Sequence, residues 1–452
     1  MKHKLNILYD ATLIGHVTSN RTRRGIYFVV VNVLRELMRR DDVNIILYYH
    51  PDLVSSFDYF VGQIRELFPD QKIPLIANEK GNLFNQSEVD VVLNTWLWIP
   101  EFLNNINVTK FLFVYDMMGL LQPGYDDFLT PGGWFQRVCE SIVPTNYIIT
   151  DSKSAKDDIL KLFPNMDRNQ IAVSYLAADP SKFYRVSESE RTSFLRKIGL
   201  KSTDKYIFAL CAIETRKNLI TNIVSFIKFV EKHNIDNFYF IIGGANWDAF
   251  AETLDDYISK SPALKKFIKR VGYVHDEDLP YFYSFSEWFI FTSQFEGFGL
   301  PALEAMMCGT PVIASNSTSL PEVCSDSAIM VAPTSVDGHI LAFEKLWFSE
   351  EIRNKYREKS LSNSKRYSWD KTTESIVSFI RENYNKRKFA PLEHVRSEMG
   401  VKSNAEDKTS DSGSKCLNYL RYLFYSFLCR MTIGDVKHRL SRKKTRYKHL
   451  SR

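Results

Sequence analysis

The chain of 452 residues carries 59 Lys and Arg against 53 Asp and Glu, and 44% of its residues are hydrophobic, a composition that excludes a disordered, low-complexity or collagen-like chain and provides for two or three cored domains. The six cysteines show no CxxC spacing, so neither a zinc site nor a disulfide framework is indicated and a reducing compartment is expected. No uninterrupted run of about 18 apolar residues suggests a membrane-spanning helix.

From the start, Met1 to Asp10 joins lysines to a short apolar run that Asp10 stops too early for a signal-peptide core, and it predicts a first β-strand. The run Gly25 to Arg40 has helical periodicity, and VNIILYYH, VDVVLNT, KFLFVYD, YIITDS and IAVSYLA follow as short apolar strands. After Asp179-Pro180 the rhythm restarts with KYIFALCAI, NFYFIIGG, KRVGYV, EWFIFTS, TPVIAS and AIMVAP. Strands alternating with helices predict an α/β chain of two doubly wound, Rossmann-like domains in series. The expected bounds are 1–183 and 184–368, with a helix over 369–386 packing back on the first domain. Ligands of such sheets bind outside the carboxyl ends of the strands, which places substrate in a cleft between the two domains.

Residues 387–414 are polar and nearly free of aromatic side chains, as a linker would be. In the tail, 415–452, an aromatic stretch CLNYLRYLFYSFLCRM precedes residues 437–452, and residues 431–452 hold eight Lys and Arg against Asp435 alone. That combination suits an anionic membrane surface. Packing on the N-terminal domain and RNA binding are the rival readings.

The segment FTSQFEGFGLPALEAMMCGTPVIAS, 291–315, predicts a strand, a Gly-rich turn and a short helix over 301–308. Pro301 suits a first helical turn and Gly309 the position past the helix end. Backbone N–H groups of Gly297, Phe298, Gly299 and Leu300, together with those of the helix start, could donate to an anionic or hydroxyl-rich ligand, which the glycines let approach. Glu296 and Glu304, the latter placed on the first helical turn, could address two parts of one extended ligand. Alternatively, Glu304 stabilises the helix N-terminus through the macrodipole and Glu296 is a solvated loop residue.

The Glu-x7-Glu spacing of EGFGLPALE closely resembles the donor-site signature of retaining GT-B glycosyltransferases of glycosyltransferase family 4. AIETRKNL, 212–219, is similar to that family's GTLEPRKN segment, and the resemblance extends over roughly residues 4 to 385. Bacterial polysaccharide mannosyl- and rhamnosyltransferases are the nearest relatives it suggests. The resemblance implies a GT-B fold in which Glu304 holds the nucleotide ribose, Glu296 faces the donor sugar, and Arg216 and Lys217 neutralise the donor diphosphate. It also implies backbone contacts to the base at Tyr273 and Val274, within Val271–Val274. Gly243-Gly244 resembles the family's glycine turn, although an ordinary strand-to-loop turn explains it as well. RTRRGIYFVV resembles the Gly-rich first loop, with one loop glycine missing and the arginines ahead of Gly25, so that Gly25 either meets phosphate or only starts a helix. Tyr115-Asp116 occupies the place of a His-Asp or Tyr-Asp pair near the reacting carbon, where Asp116 orients a hydroxyl or caps a turn. Trp96, Trp98 and Trp134 either stack on acceptor sugars or are core aromatics.

The nine histidines form no HxxxH or HxH group, and Asp276-x-Asp278 is expected to cap a helix rather than hold a metal. The resemblance thus implies a metal-independent hexosyltransferase using a GDP- or UDP-sugar as co-substrate, with mannose as first choice, and a lipid-linked saccharide acceptor in lipopolysaccharide-type synthesis. It would lie in the bacterial cytoplasm, peripheral on the cytoplasmic face of the inner membrane, with no nucleic-acid partner. The rival from another class is a catalytically silent GT-B scaffold subunit of a polysaccharide assembly complex. A dehydrogenase lacks support, because no GxGxxG follows the first strand.

Overall fold

Each half of the chain opens on a strand that is apolar on both faces, β1 (Leu5–Asp10) and β8 (Lys205–Leu210), and both are buried nearly end to end. Such two-sided burial is what parallel strands covered by helices on both faces require. The structure, a computed structural model, describes residues 4–16, 25–50, 53–70, 75–76, 89–96, 98–100, 103, 106–122, 134–245 and 250–385. The expected linker and tail, 387–414 and 415–452, and residues 21–24 of the first loop lie outside the described residues.

The first sheet has seven parallel strands in the order β3-β2-β1-β4-β5-β6-β7. They are completed by β2 (Val43–Tyr48), β3 (Leu75–Ile76), β4 (Val91–Asn94), β5 (Thr109–Phe113), β6 (Tyr147–Thr150) and β7 (Ile171–Val173). The second sheet has six, in the order β10-β9-β8-β11-β12-β13. Its further strands are β9 (Phe238–Gly243), β10 (Ile268–Gly272), β11 (Phe289–Phe291), β12 (Val312–Ser315) and β13 (Ala328–Val331). The order reverses between β1 and β4 in one sheet and between β8 and β11 in the other, and crevices for ligands open at such switch points. Two doubly wound domains are therefore present, as the alternation predicts. The two-residue β3 has too little pattern to be read from sequence.

Helix Gly25–Met38 carries Val29, Val30, Val31 and Val33, which favour strands, yet eight of its fourteen residues are buried. Burial of an apolar face overrides the weak local preference. Helix Trp369–Asn383, capped by Ser368, lies against it from the other end of the chain, with Arg40 2.5 Å from Glu374 and Arg381 3.1 Å from Asp42. Where the chain leaves and re-enters the first half, Ser174 Oγ donates to the Thr372 carbonyl at 2.8 Å and Thr372 Oγ1 to the Tyr175 carbonyl at 2.7 Å. One apolar core runs through both halves, and Phe298 joins it by packing beside Tyr175 and Tyr367.

Asp276 and Asp278 correct the capping expectation. Asp278 stands at the N-cap of helix Leu279–Phe285 without a side-chain cap bond. It pairs instead with Lys197 at 2.6 Å, and Asp276 with Lys182 at 3.7 Å.

Candidate active site

The two loops that leave the second sheet's switch point are fastened together. After β8 the chain enters a short 3-10 turn, Thr215–Lys217, and Asn218 then takes a left-handed conformation at φ 60°. Asparagine is one of the few residues that tolerate this region. Its side chain does not cap the following helix. Nδ2 donates instead to the carbonyls of Thr292 (3.1 Å) and Pro333 (2.6 Å), and Gln294 N–H donates to the Arg216 carbonyl at 2.8 Å. Arg216 and Lys217, at the end of β8, are thereby fixed beside the loop that follows β11.

Four charges meet there. Lys217 Nζ lies 2.6 Å and Arg216 NH1 3.2 Å from the same Glu296 oxygen, and Arg216 NH2 lies 2.8 Å from Glu214. Lys217 is only 9% exposed and Glu296 11%, so water screens this cluster weakly. Burial pushes the Glu296 carboxyl up, but Lys217 and Arg216 outweigh it and hold it below the usual carboxylate range. Two cations thus balance two carboxylates before any ligand arrives. Arg216 and Lys217, which the resemblance assigns to the donor diphosphate, also hold Glu296, and Glu214, which nothing in AIETRKNL singles out, completes the cluster.

The first domain closes on this cluster. A Cβ placed on Gly297 would lie 2.8 Å from the Tyr115 carbonyl oxygen, 3.2 Å from Asp116 Cβ and 3.3 Å from Asp116 Oδ2, so glycine is what lets the loop approach the end of β5. Asp116 Oδ1 accepts from Met118 N–H at 2.9 Å, the local turn bond expected of a strand-end Asp. Burial raises the Asp116 carboxyl above its ordinary value, Arg216 pulls it down and Glu296 pushes it up, so the charged groups of the two domains act on one another. Gly25, at the start of its helix, faces Leu300, whose Cδ1 would stand 3.3 Å from an added Cβ.

The Gly-rich turn ends in helix Leu300–Met307, one residue earlier than predicted at each end. Gly299 at its N-cap has φ 102°, and an added Cβ would fall 2.5 Å from Leu320 Cδ2. Glu304 is the helix's fifth residue, and the first turn holds no acidic side chain, which removes the macrodipole account of this residue. Its Oε2 accepts from the Tyr283 hydroxyl at 2.8 Å, and burial pushes its pKa up to about 7. The Phe298 side chain is buried, which leaves its backbone alone for the ligand role expected of it. At the neighbouring strand ends Tyr273 is 47% exposed and Val274 buried. Gly244 N–H donates to the Gly272 carbonyl at 2.7 Å, and Gly244, at φ 134°, leaves no room for a Cβ, which would stand 1.7 Å from the Cys211 oxygen.

A separate pocket opens at the first sheet's switch point, lined by Asp10, Thr12, His50, Asn94, Trp96 and Trp98. Asp10 accepts from Thr12 N–H (3.0 Å) and Oγ1 (2.5 Å), and burial pushes its pKa up to about 6. Asn94 donates to the Tyr48 hydroxyl and the Trp98 carbonyl, both at 3.0 Å, while its buried Oδ1 has no partner among the described residues. Trp96 and Trp98 are half-buried pocket walls, not core residues. The Trp134 side chain lies outside what the structure describes. Among the described residues no group of three or more His, Cys, Asp or Glu is placed to hold a metal ion.

Two facing doubly wound domains with a charged cluster at the second switch point make up a GT-B fold. Residues 190–362 match the family Glycosyl transferases group 1. It is 31% identical over 243 residues to O-antigen chain mannosyltransferase B of Escherichia coli, covering 53% of this chain and 61% of that protein. It is 27% identical over 247 residues to O-antigen chain mannosyltransferase RfbU of Salmonella typhimurium, covering 54% and 62%. The chain thus spans about three fifths of the length of each of these two relatives. HepE of Anabaena, solved with UDP and glucose, superposes with a TM-score of 0.62 at 12% identity, over 83% of this chain and 99% of that one. WaaG, a glycosyltransferase involved in lipopolysaccharide biosynthesis, does so at 0.56 and 12%, over the same shares.

Proposed function

We propose that the protein transfers a hexose, mannose as first choice, from a GDP- or UDP-sugar to a lipid-linked saccharide during cell-surface polysaccharide synthesis, with retention at the anomeric carbon. The observation that carries this reading is the buried Lys217–Glu296–Arg216 cluster facing Asp116 across the cleft. Negative charge grows on a leaving diphosphate as the glycosidic bond breaks, and two preorganised cations in a weakly screened site stabilise it there. Held between them, the Glu296 carboxylate is an acceptor for donor-sugar hydroxyls. Glu304 is suited to the ribose diol once ionised, and the strand-end backbone at Tyr273 and Val274 to the base. In this reading the second domain holds the donor and the first the acceptor, whose sugar rings would stack on Trp96 and Trp98. The printed names of the two mannosyltransferase relatives support mannose and O-antigen-type chains.

The chemistry proposed needs no metal, because Arg216 and Lys217 bring the positive charge. No described helix is long and apolar enough to cross a membrane. In this reading the enzyme meets an anionic surface through residues 415–452. The test is a mass-spectrometric transfer assay with GDP-, UDP- and dTDP-sugars, a lipid-linked saccharide and excess EDTA. Transfer of one hexose with retained anomeric configuration is expected. Absence of transfer from every donor, or activity abolished by EDTA and restored by Mg²⁺ or Mn²⁺, would overturn the corresponding part of the reading.

A further inference from the structure

The segment Ser317–Glu322, between β12 and the core of helix Leu320–Cys324, touches both halves of the cleft. On one side it holds the loop that carries Glu296. Ser317 Oγ donates to the Gln294 carbonyl at 2.7 Å, Thr318 Oγ1 accepts from Glu296 N–H at 3.0 Å, and Ser319 Oγ donates to the carbonyls of Glu296 and Phe298, both at 3.0 Å. Thr318 makes its bond from a left-handed conformation at φ 48°. A β-branched residue adopts that region only when its surroundings impose it, so the segment is held rigidly.

On its other side the same segment reaches the first domain. Glu322 Oε2 accepts from Lys153 N–H and Oε1 from Ser154 N–H, each at 3.0 Å, and the Tyr175 hydroxyl donates to Oε2 at 3.0 Å. Lys153 and Ser154 are the first two residues of the ten-residue helix Lys153–Leu162, and the third N–H, that of Ala155, is taken by the Ser152 cap at 3.1 Å. The leading N–H groups of a helix have no partner within it. Here one domain's helix is completed by a carboxylate of the other, with the charge at the favourable end of the helix dipole. These three bonds therefore span the two halves.

We propose that Glu322 is a positioning residue, which by seating on the N-terminus of helix Lys153–Leu162 sets the Ser317–Glu322 segment, and through it Glu296, in register with Asp116, so that cleft closure and assembly of the site are one event. The inference rests on the glycosyl-transfer reading for its kinetic consequence only; the contact itself is tested without turnover. Glu322→Gln keeps the shape but turns an NH₂ toward one of the two N–H donors, and Tyr175→Phe removes the third bond while leaving the ring.

Hydrogen exchange of the full chain, read at the amides of Lys153 and Ser154, is the first measurement. In Glu322→Gln these two amides should exchange at least about tenfold faster while Ala155 stays protected by Ser152, since only the contact between domains is lost. Kinetics are the second: kcat should fall about tenfold in Glu322→Gln, and less in Tyr175→Phe, with donor KM within about twofold, because displacement of a reacting group costs rate more than donor binding. Glu322→Asp, one methylene shorter, should recover part of the loss, which a merely structural residue would not show at constant Tm. Unchanged protection of Lys153 and Ser154 in Glu322→Gln, or faster exchange with wild-type kcat, would overturn the proposal. If wild-type protein transfers no sugar from any donor, the glycosyl-transfer reading fails while the exchange result still decides the contact.

Discussion

Replacing Gly297 by Ala tests whether the two domains meet in the reacting state as closely as they do here. The added methyl carbon would stand 2.8 Å from the Tyr115 carbonyl oxygen, where ordinary contact begins at 3.4 Å, so about 0.6 Å must be yielded. Neither loop gives easily. On one side Asp116 is bonded to Met118 N–H and Tyr115 OH donates to the Thr95 carbonyl at 2.8 Å; on the other Glu296 is bonded through Thr318 and Ser319. The softest response is a small opening of the cleft, which relieves the overlap at less than the roughly 1 to 3 kcal/mol of a true core overpacking. Tm should therefore shift by no more than about 3 °C. Displacement of that size between reacting groups should lower kcat about ten- to hundredfold, while donor KM, governed by Glu304 and the second domain's backbone, stays within about threefold. The assay is steady-state release of nucleoside diphosphate from the hexose donor in the presence of acceptor. Wild-type kcat in Gly297→Ala would mean that Asp116 and the Gly297 loop are not apposed during turnover.

Lys217→Ala should lower kcat by about 10² to 10³ with Tm scarcely changed, since it removes charge needed mainly as the diphosphate departs. Because Lys217 is the leading cation holding Glu296 ionised, the acid limb of the variant's pH–rate profile should also move to higher pH; wild-type kcat would make Lys217 structural. Glu304→Gln separates burial from binding. The Glu304 pKa rises from 4.5 to about 7 on folding, so the native state holds more protons than the unfolded one between those values and stability falls as pH rises through that window. The variant cannot ionise there, so its Tm relative to wild type should increase from pH 4 to pH 8 while its donor KM worsens, and a pH-independent Tm difference would refute the assignment. Deleting residues 415–452 should leave a folded enzyme active on soluble acceptors that no longer sediments with anionic vesicles, and normal vesicle binding by the truncated chain would refute the membrane reading of the tail.

Much of this site is legible because it is local in sequence. Glu296, the glycines and Glu304 lie within nine residues, and a strand end followed by a Gly-rich turn announces itself by composition. The two sheets are legible for a related reason, since strands buried on both faces read as continuous apolar runs. What escapes are partnerships between distant residues of ordinary appearance. Nothing around Glu322 in SLPEVC marks a carboxylate that seats on a helix 168 and 169 residues earlier. Asp10 and Asn94 each end an unexceptional strand, and only the sheet order brings β1 beside β4 to make one pocket. Asn218 precedes a helix in sequence, and local spacing cannot show that its amide reaches the carbonyls of Thr292 and Pro333 instead of capping that helix.

The paired crossings at Ser174 and Thr372 have a kinetic meaning. Two lengths of chain pass between the halves side by side and are hydrogen-bonded to each other, which restrains the halves from drifting or twisting apart. Closing is then a first-order event with a high effective concentration of one face for the other, independent of how dilute the protein is. A single nick in either crossing would leave the halves tethered by the other. Separated into two polypeptides, they would have to find one another by diffusion and pay the entropy that the double crossing removes.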